Sequence, residues 1–170
     1  LLIDDDGKTV AEASQAYAVS SPVPGHAETA PADWWAGTVA AVRACCAGRG
    51  AAVRGIGLSG QAHGLVVLGA EQKPLRPAIL WADQRATAEM DAVLALPEEI
   101  RRPLANPVVS GMAGLSLLWL RQNEPATYAA IRRILRWSRF PRQQQRQRPG
   151  LLLGEQRREA RRAEHRHAAG

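Results

Sequence analysis

Residues Gly57-Leu58-Ser59-Gly60-Gln61-Ala62-His63-Gly64-Leu65-Val66 join the end of one apolar run to the start of the next through a polar loop. Small residues at the end of a strand let a ligand approach the backbone, and the side chains of Gln61 and His63 can hydrogen-bond to that ligand. This binding loop therefore predicts a ligand site between two strands. A histidine in such a turn also has a purely structural interpretation, which the stretch alone does not exclude.

Around the binding loop, alternating apolar runs and helical patterns over residues 1–135 predict an α/β domain. The chain opens without methionine on an apolar run at residues 1–3, followed by Asp5-Asp6-Gly7-Lys8, a typical hairpin turn. We expect a strand already under way here, so that preceding residues are missing. Further strands are predicted at 53–58, 65–68 and 79–81, and helices at about 31–47, 84–96 and 114–123.

The predicted helices have one apolar face each. Asp33 can cap the first of them. Helical spacing predicts the following inward residues: Trp35, Val39, Val42 and Cys46 in the first helix, and Leu115, Leu118 and Trp119 in the last. The neighbouring Cys45 and Cys46 have no spacing suited to a disulfide or a metal site, so both are interpreted as core residues.

The positive charge of the chain is confined to its end. The formal net charge is +6, but residues 136–170 alone carry ten arginines against three acids, which leaves residues 1–135 at −1. We therefore predict a domain over 1–135 and an Arg-rich tail over 136–170 that is disordered or results from a frameshift near Leu135. An alternative is a non-enzymatic nucleic-acid-binding protein that acts through this tail.

The apolar runs of the chain are short. None approaches the ~20 residues of a membrane span, and the start lacks the order of a signal peptide. We therefore expect a cytoplasmic protein without a membrane partner.

Four segments of the chain resemble sequence blocks of the FGGY carbohydrate kinases, and within them of the xylulokinases. The binding loop resembles their Ser-Gly-Gln-Met-His-Gly motif. Residues 24–35, 75–85 and 115–124 resemble, in the same order, the family blocks PGWAEQDPxxWW, PLRPAILWNDQR and KLLWLREHEP. The resemblance covers residues 1 to about 135 and implies a truncated N-terminal fragment of such a kinase.

The resemblance also implies a fold and a site. The fold is ribonuclease-H-like, as in actin-like ATPases, with sugar bound by the first of two domains and ATP mainly by the second. The Met-His pair of the motif lies at the sugar site, which places Ala62 and His63 there, with Gln61 beside them. Because Ala62 stands where the family has methionine, an apolar contact with the sugar is lost. Asp83 either faces the same cleft or pairs with Arg85 to order its loop, and the sequence leaves both open.

The phosphate-handling parts of the family lie outside the matched region. Phosphoryl transfer needs a base, backbone amides around the phosphates and Mg²⁺. In the family, a first phosphate loop precedes the position of Leu1, and the catalytic aspartate and the adenosine-binding loops follow that of Leu135. Intact relatives phosphorylate D-xylulose to D-xylulose 5-phosphate with ATP and Mg²⁺.

For this chain we therefore expect no catalytic, cofactor-binding or metal-binding residue of its own, and no activity alone. D-xylulose is expected to bind weakly if at all. Exposed strand edges could also leave such a piece unstable.

Overall fold

The computed structural model describes residues 1–60, 62–104 and 107–136 of the chain. These residues cluster into two compact units. The first unit contains residues 1–17 and 32–59, and the second contains 18–31 together with the described residues from 60 onward. Gln61 and the tail from Trp137 onward, on which two predictions depend, lie outside the described residues.

The first unit contains the predicted hairpin. Strand β1, Leu2–Ile3, pairs antiparallel with β2, Thr9–Ala11. Gly7 has a φ of +80°, a conformation that glycine adopts without steric cost. The carboxylate of Asp4 accepts hydrogen bonds from the backbone N–H groups of Asp6 and Lys8, at 3.1 and 2.9 Å. The turn is therefore fixed by local hydrogen bonds, and the hairpin prediction is confirmed.

Helix α1, Pro31–Cys45, begins where it was predicted, but its cap and its buried face differ from the prediction. Asp33 is not its cap but lies in its first turn, where a negative charge still favours the helix dipole. Trp34 is the buried tryptophan, at 1% exposure, while Trp35 is half-buried. The ring of Tyr17 packs edge-on against that of Trp34, with 6.4 Å between centroids. The buried stripe is thus shifted by one residue, although Cys45 and Cys46 are both buried as predicted.

The predicted strand at 53–58 is wrong. A short 3-10 helix, Gly50–Ala52, precedes the segment, and residues 53–60 have no regular secondary structure and belong to neither sheet of the described chain. An isolated strand leaves its backbone groups without ladder partners, and Gly55 and Gly57 further weaken a strand interior. An apolar composition alone was therefore not enough to make a strand here.

The second unit is built on a four-stranded antiparallel sheet. Its strands are β3 (Glu28–Thr29), β4 (Leu65–Leu68), β5 (Ala78–Ile79) and β6 (Arg133–Arg136), in the order β3-β5-β4-β6. All four residues of β4 are buried, as expected of an uninterrupted apolar strand in the middle of a sheet. The strand predicted at 65–68 is confirmed. Of the strand predicted at 79–81 only Ile79 is confirmed, because β5 ends there and Leu80 and Trp81 lie in the following turn.

Four helices accompany this sheet. They are α2 (Thr87–Leu94), α3 (Glu98–Arg101), α4 (Ala113–Asn123) and α5 (Pro125–Ala130), with a 3-10 turn at Arg102–Leu104. Helix α2 is shorter than predicted because the residues before it form a separate turn, which Thr87 joins by donating a hydrogen bond to the Gln84 carbonyl at 2.7 Å. Across the described ranges, no helix is long and apolar enough to cross a membrane.

The core of the second unit lies between β4, β5 and α4. Leu65, Val67, Ile79 and Leu120 form it, with exposures of 2% or less. Leu65 and Val67 are two residues apart and so share one face of β4. Leu115 and Leu120 are the buried leucines of α4, whereas Leu118 and Trp119, predicted inward, are half-buried.

Replacing Leu120 should test this core. Leu120→Ala removes a fully buried side chain and is expected to lower the free energy of unfolding by about 2–5 kcal/mol, because a cavity remains. Ile100→Ala is the control: Ile100 is 60% exposed, and its loss should change stability by less than about 0.5 kcal/mol. Urea unfolding followed by circular dichroism measures both, and equal effects would contradict the assignment of Leu120 to the core.

Candidate functional site

One end of the second unit's sheet gathers the residues singled out in the sequence. Leu65, the first residue of β4, is paired with Ile79, the last residue of β5, and with Arg136, the last residue of β6. Glu28, the first residue of β3, is paired with Ile79 as well. The residues just before β4 and just after β5 therefore lie at the same end of the sheet. These residues are Ala62, His63 and Gly64 of the binding loop and a turn at residues 80–83.

His63 occupies a strained position in the binding loop. Its φ is +65°, and the Gly64 N–H donates a hydrogen bond of 2.9 Å to the Ala62 carbonyl. An i to i+2 bond around a residue with positive φ forms a γ-turn, which is rare and strained, and such strain concentrates at ligand sites. Ala62 is exposed and His63 is half-buried, so both can be reached by a ligand. Their role in sugar binding, with that of Gln61, stays a prediction.

The turn at residues 80–83 exposes a tryptophan. The Leu80 N–H donates to the Ala27 carbonyl at 2.9 Å, and the Asp83 N–H donates to the Leu80 carbonyl at 3.1 Å. Between them Trp81 is 60% exposed and lies outside a strand, although a strand was predicted at 79–81. An indole offers a large apolar face to a ligand. The signal that could have found Trp81 is its place between the end of an apolar run and an aspartate.

Asp83 is fully buried and bound by Arg85. One carboxylate oxygen, Oδ1, accepts hydrogen bonds from the Arg85 backbone N–H at 2.9 Å and from Nε at 2.8 Å. The other, Oδ2, accepts from Arg85 Nη2 at 2.8 Å and from the Ala27 N–H at 2.6 Å. Of the two open interpretations of Asp83, the ion pair that orders its loop is therefore present. That Asp83 also lines a sugar pocket stays a prediction.

This ion pair belongs to a chain of alternating charges, defined here as the ionic chain: Asp83, Arg85, Glu28, Arg76 and Glu124. Arg85 Nη2 donates to Glu28 Oε1 at 2.6 Å, the same Glu28 oxygen accepts from Arg76, and Arg76 Nη1 donates to Glu124 Oε1 at 2.7 Å. Four of the five side chains are at most 10% exposed, and Glu124 is 30% exposed. Buried charges are tolerated only when they are paired in this way.

The ring of Trp119 packs against Arg85 of the ionic chain and against the ring of His26. The guanidinium carbon of Arg85 lies 4.9 Å from the centre of the Trp119 ring, within the range of a cation–π interaction. The ring of His26 meets that of Trp119 edge-on, with 5.9 Å between centroids. Trp119, predicted as a core residue, therefore packs against a charge rather than only against aliphatic side chains.

Gly111 allows a close backbone contact with the turn. A Cβ atom on Gly111 would overlap the carbonyl oxygen of Trp81 and lie 3.0 Å from the Trp81 Cα. Next to it, the Ser110 hydroxyl donates to the Asp83 carbonyl at 3.3 Å. Only glycine fits this position, so the turn at 80–83 is held from two directions.

The charges of the ionic chain shift the pKa values of two members. Burial would raise the pKa of Asp83, but hydrogen bonds from Arg85 and Ala27, together with the Arg85 charge, outweigh burial and lower it. Burial would likewise lower the pKa of Arg85, but its hydrogen bonds and its attraction to Asp83 and Glu28 raise it. Both side chains are therefore held in their charged forms.

Two further features bear on what the described residues can bind. Across residues 1–60, 62–104 and 107–136, no group of three or more His, Cys, Asp or Glu side chains is arranged to hold a metal ion. A cavity of about 530 Å³ lies in the first unit between the β1–β2 hairpin and residues 48–55. None of the predicted site residues lines it, so we place the candidate site at the sheet end, where strain and exposed side chains coincide.

The buried Asp83 predicts acid sensitivity. Because its pKa is lower in the folded than in the unfolded state, its contribution to stability is complete above the ordinary aspartate pKa of about 4 and is lost as the pH falls below that value. The free energy of unfolding, measured from pH 6 to 2.5, should therefore fall more steeply for the native chain than for Asp83→Asn. A carbon-13 titration of the Asp83 carboxyl group gives a second check, and a midpoint at or above 4 would contradict the prediction.

Gly111→Ala should disturb the turn. The added methyl group meets backbone atoms of Trp81, so we expect a loss of about 1–3 kcal/mol and a change in tryptophan fluorescence. Gly114→Ala is a matched control, because nothing lies within 4 Å of its added Cβ and alanine favours the helix. Thermal melts that move equally in both variants would disprove the close contact.

Comparison with known proteins shows the family to which the chain is similar. Residues 1–143 match the model for the N-terminal domain of the FGGY family of carbohydrate kinases. The chain is 33% identical over 136 residues to the xylulose kinase of Escherichia coli, covering 79% of this chain and 28% of that protein. It thus spans less than a third of the length of the curated relatives it matches.

Solved structures show the same likeness. The chain superposes on a xyloylose kinase from Brucella ovis with a TM-score of 0.74 and 38% identity, over 82% of this chain and 30% of that one. A ligand-bound xylulose kinase from Lactobacillus acidophilus superposes with a TM-score of 0.70, over 82% of this chain and 29% of that one. At 21% identity this similarity shows the fold alone. The predicted ribonuclease-H-like, actin-like fold is confirmed as that of the sugar kinases. The chain therefore belongs to the FGGY family of carbohydrate kinases, and the residues that match correspond to the N-terminal domain of that family.

Proposed function

We propose that this chain forms the sugar-binding wall of a carbohydrate kinase, with D-xylulose as the sugar. One observation carries the proposal: the strained His63 turn and the exposed Trp81 lie at the same end of one sheet. The similarity to xylulose kinases favours D-xylulose over other sugars.

The chemistry of the two side chains suits a sugar. A sugar offers hydroxyl groups in the plane of its chain and apolar C–H groups on its faces. The imidazole of His63 can donate to or accept from a hydroxyl, and the indole of Trp81 can cover a C–H face. Ala62 adds little contact, so we expect weak affinity. Asp83 is 1% exposed and stands behind the turn as its support, and a direct contact with the sugar would require the turn to open.

Phosphoryl transfer is not part of the role that we propose for the described residues. In the intact enzymes that this chain resembles, ATP supplies the phosphoryl group and Mg²⁺ offsets its charge. Among the described residues no cluster of three or more His, Cys, Asp or Glu side chains could hold a metal ion, and the carboxylates of Glu28 and Asp83 are paired with arginines. We therefore propose that the 170-residue chain alone binds sugar without phosphorylating it.

Sugar binding by His63 can be tested without adding backbone strain. Glycine accepts a φ of +65°, so His63→Gly removes the imidazole and keeps the turn. Loss of one hydrogen bond should weaken D-xylulose binding about tenfold in isothermal titration. Gln72→Gly is the matched control, since Gln72 has a φ of +59° in the turn that follows the opposite end of β4. Equal affinities of native chain and His63→Gly would remove His63 from the site.

The absence of turnover is tested by a coupled assay with D-xylulose, ATP and Mg²⁺. Phosphorylation by the purified chain would overturn the proposal that it is inactive alone.

The alternative of nucleic-acid binding depends on residues 136–170 and stays a prediction. Filter binding at two salt concentrations, with the chain and with a variant that lacks this tail, distinguishes it, because specific binding would disappear with the tail.

A further inference from the structure

We propose that Arg85 and Glu28 are positioning residues, which fix the turn at residues 80–83 and thereby the presentation of Trp81. For its effect on sugar affinity this inference rests on the proposed function. The geometric part, that the ionic chain sets the position of Trp81, stands on the contacts of the second unit alone.

Both ends of the turn are hydrogen-bonded to one residue, Ala27. Its carbonyl accepts a hydrogen bond from the Leu80 N–H at 2.9 Å, and its own N–H donates to Asp83 Oδ2 at 2.6 Å. Leu80 and Asp83 are the two ends of the turn, so both backbone groups of Ala27 are used to hold it. Trp81 and Ala82 lie between these fixed ends. One of the two clamping bonds depends on the carboxylate of Asp83 keeping its orientation.

Arg85 fixes that orientation. Its Nε and Nη2 donate to the two different oxygens of Asp83, both at 2.8 Å, and this two-point contact prevents the carboxylate from rotating. The side chain of Arg85 is 1% exposed, so it acts through Asp83 rather than on a ligand in solvent. A lysine would keep the charge but could not form the planar two-point contact or the same stacking on Trp119.

Glu28 holds Arg85 and follows Ala27 directly in the chain. Its Oε1 accepts from Arg85 Nη2 at 2.6 Å and also from Arg76. Residues 27 and 28 thus supply both the backbone clamp on the turn and the carboxylate that holds the arginine behind it. Glu28→Gln keeps an acceptor oxygen but loses the charge, so it should loosen Arg85 less than Arg85→Lys loosens Asp83.

Two further contacts, with Gly111 and Ser110, restrict the turn at residues 80–83. Gly111 lies against the Trp81 backbone, and the Ser110 hydroxyl bonds to the Asp83 carbonyl. If the carboxylate of Asp83 is released, its bond to the Ala27 N–H is lost, and any movement of the loosened turn carries the Trp81 ring with it. The expected consequence is a displaced indole in a unit that remains folded.

The test uses the full 170-residue chain labelled with 5-fluorotryptophan. The chain has five tryptophans, and Trp34→Phe, Trp81→Phe and Trp119→Phe assign three of the fluorine signals. In Arg85→Lys the Trp81 signal should shift or broaden, while the Trp34 signal stays in place and the thermal melt stays cooperative. Glu28→Gln should give a smaller change of the same kind. Glu71→Gln is the matched control, because its ion pair with Lys73 is exposed and should leave every signal unchanged.

A sugar titration adds the functional arm. D-xylulose should bind Arg85→Lys at least about tenfold more weakly than the native chain, with Glu28→Gln in between. If the native chain binds no D-xylulose, the proposed function fails for this chain, while the fluorine signals still decide the positioning role. An unmoved Trp81 signal in both variants overturns the inference. So does loss of the cooperative melt in both, since the ionic chain would then stabilise the whole unit rather than position the turn.

Discussion

The contact between Arg85 and Asp83 is the interaction on which the second unit's site depends. Both side chains are 1% exposed, so both charges have been taken out of water at a cost of several kcal/mol each. That cost is offset because Asp83 accepts four hydrogen bonds, three of them from Arg85, while Arg85 also donates to Glu28 and lies over Trp119. Removing Arg85 would leave the buried carboxylate of Asp83 without a charged partner, so the orientation of Asp83 depends on this one arginine.

Local sequence patterns predicted those parts of the fold that depend on the conformational preferences and burial of neighbouring residues. The hairpin at Gly7 follows from a residue pair that supplies positive φ, and β4 follows from an uninterrupted apolar run that a central strand requires. The same reasoning failed at 53–58, because an apolar run forms a strand only where neighbouring strands accept its hydrogen bonds. It also exchanged Trp34 and Trp35 in α1, since spacing gives the width of a buried stripe more reliably than its centre.

The candidate site was predictable only in part, because residues that are far apart in the sequence leave no local pattern that shows their contact. His63 stood out because a polar residue between two glycines at a strand end is visible locally. The pair of Asp83 with Arg85 was also visible, being two residues apart. Glu28 was not, because its arginine partners are 48 and 57 residues away, and a glutamate near a loop has no local mark of burial. Trp81 was missed since an apolar residue beside a strand is ordinarily a core residue.

An ion network is an unusual support for a turn, because buried ion pairs often stabilise a protein no more than apolar residues of the same volume. Apolar packing would fill the space behind residues 80–83, but it is non-directional and would leave the turn free to slide. A carboxylate that must accept from both the Ala27 N–H and the fork of Arg85 admits one orientation. Directional bonds therefore explain the ionic chain better than stability does. The ionic chain therefore fixes the backbone of residues 80–83, which lie at the end of the sheet that also carries His63, where we propose the sugar site.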